Sequence, residues 1–289
     1  MKIKEMLSKK ELTLSFEVFP PKRDGNLEYL FKVIGRLKKL NPDFISVTYG
    51  AGGSNKDNAL EIASSIKNKY CLEVLSHLTC VQTTKMDMEK IIREFELAGI
   101  ENILALRGDP PKGTERFEKV ENGFGYANEL VSFIRAMNGF CIGAACYPHG
   151  HSEAKSLEED IINLKRKVDA GTDFLITQLF FDNDEFYRFS ELARRERIDV
   201  PIIPGIMPIT SYKQIKRISE LSGHKLPYLL DERIERLSDN PEEIEKYGVE
   251  YAIEQSQDLI KNKVKGIHFY CMNKSEPVNQ ILEGLNLKR

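Results

Sequence analysis

The sequence predicts an α/β protein built as a (β/α)8 TIM barrel. Eight short apolar runs of strand length alternate with amphipathic segments from one end of the chain to the other. Successive runs lie roughly 30 residues apart, which is the length of one βα unit. Eight such units within 289 residues favour a parallel barrel. The alternative is a doubly wound open sheet, but the first βα turn, FPPKRDGN, has no GxGxxG phosphate loop.

The predicted strands are short runs dominated by branched and aromatic apolar residues. They are Leu14–Phe19, Phe44–Tyr49, Val74–Cys80, Ile103–Leu106, Cys141–Tyr147, Phe174–Phe180, Pro201–Ile206 and Gly266–Met272. Between them, apolar residues recur at spacings of three and four, which predicts helices over Leu27–Leu40, Met88–Ala98 and Leu157–Ala170. Gly99 and Gly171 each follow an alanine and are expected to end helices as C′ glycines.

The longest interval between strands, from Ile206 to Gly266, predicts extra helices between the seventh and eighth strands. It contains a helix from Ser211, a segment around Tyr228–Leu237 and a longer helix from Pro241 to about Lys263. A last helix, Glu276–Leu285, is expected to close the barrel from outside. Because no linker or low-complexity stretch divides the chain, we expect a single barrel domain over residues 1–289.

Composition excludes several classes of function. Hydrophobic content is 41%, charged content 30% and the net charge −2, so no bulk attraction to nucleic acid or membranes is expected. The amino-terminal residues contain no long apolar run, which predicts neither signal peptide nor anchor. Five cysteines without a CxxC pair suit buried free thiols in a reducing cytoplasm, and their spacing does not predict a zinc site.

A barrel places its functional groups at the carboxyl ends of its strands. Polar residues recur at the predicted strand ends: Glu17, Thr48, Tyr49, His77, Thr79, Arg107, Asp109, Tyr147, His149, His151, Gln178, His268 and Tyr270. Any one of them, including the Arg107-Gly108-Asp109 turn, is explained equally well as a satisfied structural polar group. Together they favour an active site at one rim.

Two acids stand out at this rim, Glu17 and Asp109. They suit a general acid and an electrostatic partner. The apolar neighbours Phe16 and Phe19 are expected to raise the pKa of Glu17, as a proton donor near neutrality requires. The histidines and acids have no HExxH-type spacing for a metal, and no lysine lies inside a strand for a Schiff base.

The helix predicted after the fifth strand carries a second cluster. Asp160, Asn163 and Lys167 are three and four residues apart and share one helix face. A carboxylate, an amide and a cation suit the ribose hydroxyls and diphosphate of a nucleotide. A solvated face with ordinary ion pairs is the alternative.

Several motifs, in order and over nearly the whole chain, carry a resemblance to a known family. They are SFEVFPPK, FISVTYGAGGS, LSHLTC, ILALRGDPP, YPHGHSEAKS, NLKRKVDAGTDFLITQLFFD and IIPGIMPI. In this combination the chain resembles the methylenetetrahydrofolate reductases of the short bacterial type. The resemblance implies a flavoprotein barrel that reduces 5,10-methylenetetrahydrofolate to 5-methyltetrahydrofolate in one-carbon metabolism and methionine synthesis. It also implies ping-pong transfer, in which reduced nicotinamide and folate use FAD in turn.

The resemblance also implies roles for individual residues. Glu17 corresponds to the catalytic general acid, and Asp109 to the aspartate beside flavin and pterin. Gln178 corresponds to a folate and nicotinamide contact. The positions that correspond to FAD contacts are Thr48, His77, Leu106, Arg107, Gly108, Asp109, Tyr147, His151, Asp160, Asn163, Arg166 and Lys167. Gly108 is expected to let the backbone approach a flat ring.

Departures from the family pattern affect the folate site and the domain content. Lys274 replaces a common arginine expected to grip the folate glutamate tail, so a point charge replaces a bidentate fork. Ile218 occupies the position of an aromatic residue over the folate. Since the chain ends at Arg289, the regulatory domain of the longer eukaryotic members is expected to be missing.

Other expectations concern partners and competing functions. The electron donor is left open among NADH, NADPH and a partner protein that delivers electrons from ferredoxin, and a homo-oligomer is expected from the resemblance. The competing functions are a proline-dehydrogenase-like FAD barrel that oxidises an amino acid, and a non-catalytic barrel subunit.

Overall fold

In the computed structural model, described residues are 1–21, 26–49, 56–110, 113–114, 116–222 and 226–287. Residues 22, 50–54 and 111, which belong to the motifs quoted above, lie outside them. The described part contains nine parallel strands in the order β7-β6-β5-β4-β3-β2-β1-β9-β8, which form a nearly closed barrel. The predicted TIM barrel is therefore confirmed. No helix in these ranges has both the length and the apolar character needed to cross a membrane.

The strands are short and buried. They are β1 (Thr13–Val18), β2 (Phe44–Val47), β3 (Glu73–Thr79), β4 (Asn102–Leu106), β5 (Cys141–Cys146), β6 (Phe174–Thr177), β7 (Ile202–Ile203), β8 (Gly205–Ile206) and β9 (Gly266–Phe269). The predicted seventh strand, Pro201–Ile206, is divided at Pro204, which has no N–H for the sheet ladder. Its first half, β7, pairs with β6, and its second half, β8, pairs with β9. The segment therefore lies between β6 and β9, where the barrel closes.

Six strands, β1, β2, β3, β5, β6 and β9, end earlier than predicted. As a result Thr48, Tyr49, Tyr147, Gln178 and Tyr270 lie just beyond their strands instead of inside them. Buried apolar residues such as Phe180 and Cys271 continue past some of the strands, and burial alone does not distinguish such a loop from a strand. The residues still emerge at the carboxyl ends, as expected.

Helices cover the outside of the barrel. In chain order they are α1 (Ile3–Lys9), α2 (Leu27–Lys38), α3 (Lys56–Asn68), α4 (Lys85–Leu97), α5 (Ala127–Met137), α6 (Leu157–Asp169), α7 (Asn183–Arg195), α8 (Tyr212–Ser222), α9 (Tyr228–Arg236), α10 (Pro241–Lys261) and α11 (Glu276–Gly284). The three extra helices predicted between the seventh and eighth barrel strands are present as α8, α9 and α10. Gly99 and Gly171 have φ of +72° and +119° directly after α4 and α6, as predicted.

Helix α1 was not predicted, and it covers the amino-terminal end of the barrel. Ile3, Met6 and Leu7 are buried there, in one cluster with inward-facing residues such as Phe174. The backbone N–H of Ile3 donates to Oδ1 of the fully buried Asn102 (2.8 Å). A seven-residue helix is marginal alone, so this one depends on tertiary packing that local sequence does not show.

Gly248, in the middle of α10, should be irreplaceable even by alanine. A Cβ at this position would lie 1.9 Å from the backbone oxygen of Ile209, in the segment after β8. Alanine gains about 1 kcal/mol in helix propensity, but overpacking against backbone costs about 1–3 kcal/mol or more. We therefore expect Gly248→Ala to lower the free energy of unfolding in urea. Gly35→Ala in α2 is the matched control, because its Cβ would meet only an ordinary 3.8 Å contact with Tyr70, and it should be neutral or stabilising. Equal stability of the two variants would contradict the prediction.

Candidate active site

Glu17 emerges from β1 into a group of polar side chains inside the barrel. Its Oε2 lies 3.5 Å from Nε2 of His77, 3.8 Å from Nε2 of His268 and 3.5 Å from the Ser46 hydroxyl. Both histidines are buried. The carboxylate of β1 therefore meets groups from β2, β3 and β9, four neighbouring strands of one sheet.

Like Ser46, His268 is a member of this group to which the sequence analysis assigned no role. Its Nδ1 shares a hydrogen bond of 2.8 Å with the Ser15 hydroxyl, and its ring stacks on Phe44 at 6.2 Å between centroids. Ser46 lies 3.4 Å from its Nε2. These contacts hold the imidazole beside Glu17. Because they join residues more than 200 positions apart, no local pattern in the sequence indicates them.

The pKa of Glu17 does not follow the sequence expectation. Burial raises this pKa. The His268 imidazole, the field of His77 and the Ser46 hydroxyl together lower it by more, so the net pKa lies below the ordinary value. The expectation of a raised pKa in the free protein is therefore wrong. It considered only the apolar neighbours of Glu17 on β1, whereas the polar partners come from other strands.

The buried imidazole of His77 should make stability depend on pH. Burial lowers the pKa of His77 to about 4, although Glu17 opposes the shift. An unfolded histidine has a pKa near 6.5, so between about pH 6.5 and 4 the unfolded chain binds a proton that the folded chain excludes. The free energy of unfolding should therefore fall as pH falls through this window, by at most about 1.4 kcal/mol per pH unit from this group. When the free energy of unfolding is measured by urea denaturation at several pH values in this range, its slope against pH should be shallower for His77→Gln than for the wild type. Identical slopes would contradict the prediction.

A second group of predicted residues lines a cavity of about 510 Å³ on the same rim. The predicted members are Leu106, Arg107, Tyr147, His151, Asp160, Asn163, Arg166 and Lys167. Eight further residues complete its walls without having been predicted: Tyr126, Ala127, Asn128, Ala105, Ala145, Glu153, Ala154 and Glu159. The first three lie at the start of α5, which does not directly follow a strand. A search for polar residues at strand ends therefore does not find these three.

Helix α6 supplies the charged wall of this cavity. Ser156 caps the helix by accepting from the Glu159 N–H (3.3 Å), and this fixes which face the later residues present. Asp160 is buried and accepts from the backbone N–H of His151 (3.1 Å), while Lys167 donates to the Ala145 carbonyl (2.7 Å). Burial raises the pKa of Asp160 and lowers that of Lys167. The predicted Asp160, Asn163 and Lys167 thus face one cavity, and a fully solvated face is excluded.

The opposite wall comes from the ends of β4 and β5. The Tyr147 and His151 rings meet edge to face at 4.8 Å between centroids. Burial raises the pKa of Tyr147 to about 12, with a further contribution from Asp109. Arg107 donates from both terminal nitrogens to Glu153 at 2.5 and 2.7 Å.

Gly108 and Asp109 follow directly after Arg107. Gly108 has φ of +85°, and a Cβ on it would lie 2.7 Å from Cγ2 of Val81. Packing against Val81 is therefore a sufficient reason for glycine at this position. The expectation that Gly108 lets the backbone approach the flat ring of a cofactor stays a prediction. Asp109 is exposed at the rim.

Other predicted residues lie outside the cavity lining. Thr48 and Gln178 are half-buried, and Gln178 Oε1 accepts from the Leu179 N–H (3.0 Å). Lys274 is exposed and donates to the Thr210 hydroxyl at 3.3 Å. Ile218 is half-buried on α8 and packs against an apolar cluster that includes Phe181 and Ile209.

Tyr270 connects the carboxylate group with the cavity. It is held by a hydrogen bond from its hydroxyl to the Thr177 carbonyl (2.6 Å), and its ring meets His268 edge to face at 5.1 Å. Its pKa is raised well above the usual value, first by burial and then by Glu17, Cys146 and Tyr147. Glu17 and the cavity residue Tyr147 therefore lie within electrostatic range of one phenol.

Comparison with known proteins decides the family of the chain. The family model described as methylenetetrahydrofolate reductase matches residues 2–286. The chain belongs to the methylenetetrahydrofolate reductase family. It is 40% identical over 300 residues to methylenetetrahydrofolate reductase (NADH) 1 of Arabidopsis thaliana, covering 99% of this chain and 50% of the relative. It is 37% identical over 278 residues to the 5,10-methylenetetrahydrofolate reductase of Escherichia coli, covering 96% and 92%.

This member of the methylenetetrahydrofolate reductase family spans about half the length of the plant relatives it matches. Among solved structures, it resembles a Clostridium thermocellum protein that binds two copies of 5-methyl-5,6,7,8-tetrahydrofolic acid. The TM-score is 0.66, with 100% of this chain and 99% of the other covered. At 14% identity this similarity shows the fold alone. The family match does not favour a proline-dehydrogenase-like or a non-catalytic barrel.

Proposed function

We propose that this protein reduces 5,10-methylenetetrahydrofolate to 5-methyltetrahydrofolate with electrons from a reduced nicotinamide, passed in turn through FAD. The observation that carries the proposal is a half-buried glutamate, Glu17, near a polar cavity of about 510 Å³ at one rim of a barrel of this family. Residues 1–289 act as one catalytic barrel domain in the cytoplasm, and the protein self-associates.

The donor set of the cavity fits FAD. A volume of about 510 Å³ lies within the range of cofactor sites. Asp160 offers a carboxylate for ribose hydroxyls, Asn163 an amide, and Arg166 and Lys167 positive charge for a diphosphate. In the described part of the chain, the buried Nε2 of His77 has no hydrogen-bond partner, but it lies outside the cavity lining and 3.5 Å from Oε2 of Glu17. FAD supplies the hydride transfer when bound, and the protein supplies position and field.

The remaining wall residues orient the cofactor. Leu106, Arg107, Tyr147 and His151 would contact it as wall residues, and Thr48 and Gly108 would contact it from outside the present cavity lining.

Glu17 acts as the general acid that opens the methylene bridge of the folate. Its pKa is lowered in the free protein by polar neighbours, and His77 is neutral above about pH 4. Binding of flat ligands over Glu17 displaces water, and desolvation raises the pKa of a carboxyl group. A filled site would therefore favour a proton on Glu17 more than the empty site does. Asp109 orients the pterin from the rim, and Gln178 contacts folate and nicotinamide in turn.

The folate tail extends toward the exposed Lys274. A lysine holds the tail glutamate as a point charge, without the two parallel hydrogen bonds of an arginine. Ile218 on α8 offers an aliphatic contact in place of a stacked ring. Affinity for the tail therefore rests on charge and should fall with added salt.

A visible absorbance spectrum tests the proposal. The purified protein should be yellow and should bleach anaerobically with NADH or NADPH, and methylenetetrahydrofolate should restore the colour. Comparing the two nicotinamides with a reduced ferredoxin and its partner protein identifies the donor. A protein that stays colourless after incubation with FAD would overturn the proposal, and so would a reduced flavin that methylenetetrahydrofolate does not reoxidise.

A further inference from the structure

Glu153 forms the most specific polar contact in the cavity wall that the proposed reaction does not use. It lies in the loop between β5 and α6 and accepts two hydrogen bonds from Arg107, at the end of β4. The two-pronged geometry matches a planar guanidinium to a planar carboxylate. Phe117 packs on the same guanidinium, with 5.2 Å from the Arg107 Cζ to the ring centroid. Arg107 is therefore held by one acid and one aromatic ring.

The loop that carries Glu153 is itself fixed in place. The Glu153 N–H donates to Nδ1 of His151 (3.1 Å), and the Ala154 N–H donates to the His151 carbonyl (2.9 Å). The His151 N–H in turn donates to the buried Asp160 on α6. The Arg107–Glu153 pair thus joins the β4 side of the cavity to the loop wall that ends at α6.

We propose that Glu153 is a positioning residue that holds Arg107 in the cavity wall and so retains the cofactor. The inference rests on the proposed FAD site. Both terminal nitrogens of Arg107 are occupied and its charge is compensated, so Arg107 contributes a flat, fixed surface instead of a free cation. Phosphate charge is left to Lys167 and Arg166 on the facing helix. Loss of the Glu153 carboxylate frees the Arg107 side chain from the loop, which speeds cofactor release without touching Glu17.

The test is a double-mutant cycle on FAD affinity. Apoprotein is prepared from the wild type, Glu153→Gln, Arg107→Gln and the double variant, and FAD binding is followed by quenching of flavin fluorescence. Glu153→Gln should raise Kd about tenfold, which lies within the range of coupling between contacting residues. Its effect should vanish in the Arg107→Gln background. The loss of turnover in Glu153→Gln should be smaller at saturating FAD than at limiting FAD, because the change acts on cofactor retention. Glu158→Gln, an exposed glutamate five residues away, is the charge-matched control and should leave Kd unchanged.

Unchanged or tighter FAD binding by Glu153→Gln would overturn this inference, and so would a full effect in the Arg107→Gln background. Neither result affects the proposed function, because wild-type binding and reduction are measured in the same series. Failure of the wild type to bind FAD would instead overturn the proposed function. Circular dichroism of each variant separates misfolding from loss of positioning.

Discussion

Replacing Glu17 with glutamine is expected to lower folate reduction by about 10²- to 10⁴-fold, the contribution of a positioned general acid. Reduction of the bound flavin by nicotinamide should persist, because that step needs no proton from Glu17. The amide keeps the shape of the side chain and its contacts with His77, His268 and Ser46 but cannot donate a carboxylic acid proton. Stopped-flow absorbance measures the two half-reactions separately, with NADH and then with methylenetetrahydrofolate.

Glu11→Gln is the matched control for this variant, since Glu11 is exposed just before the same strand. It should leave both half-reactions unchanged. Normal folate turnover by Glu17→Gln would remove Glu17 from the catalytic role. Equal loss of both half-reactions would place the defect in cofactor binding instead.

Sequence periodicity located the parts of the site that are local in the chain. The α6 face was predictable because Asp160, Asn163 and Lys167 repeat with the helical period, and Arg107 was predictable because a buried strand stops directly before it. The wall formed by the start of α5 was not predictable, because Tyr126 becomes a wall residue only when the barrel closes. Helix α1 was missed because seven residues give little signal without the barrel end that they cover.

The electrostatics of Glu17 were the least predictable feature. Neighbours in sequence, Phe16 and Val18, are fully buried and suggest an apolar environment. Side chains alternate along a strand, however, so these two point away from the barrel interior while Glu17 points into it. Its real neighbours are Ser46, His77 and His268 from three other strands. The direction of a pKa shift depends on such contacts, which sequence spacing alone does not specify.

The second large effect is expected at Lys167. Lys167→Met keeps the length and apolar stem of the side chain and removes its charge from the cavity. A hydrogen bond to a charged group contributes about 1.5–3 kcal/mol, so FAD should bind roughly 10- to 100-fold more weakly. Affinity of the variant for FAD should also depend less on salt than that of the wild type, because one charge contact has been lost.

The fold should survive this change, which makes the loss of binding interpretable. Burial lowers the pKa of Lys167, so keeping it charged inside the wall costs free energy that a methionine does not. This gain opposes the loss of the hydrogen bond from Lys167 to the Ala145 carbonyl (2.7 Å), so the free energy of unfolding of the cofactor-free variant should stay within about 1–3 kcal/mol of the wild-type value. Lys165→Met, on the same helix but paired with Asp169, removes the same charge outside the cavity lining and should leave FAD affinity unchanged. If the two variants bind FAD equally, positive charge on α6 acts only through the general field of the protein, and the assignment of Lys167 to the diphosphate is wrong.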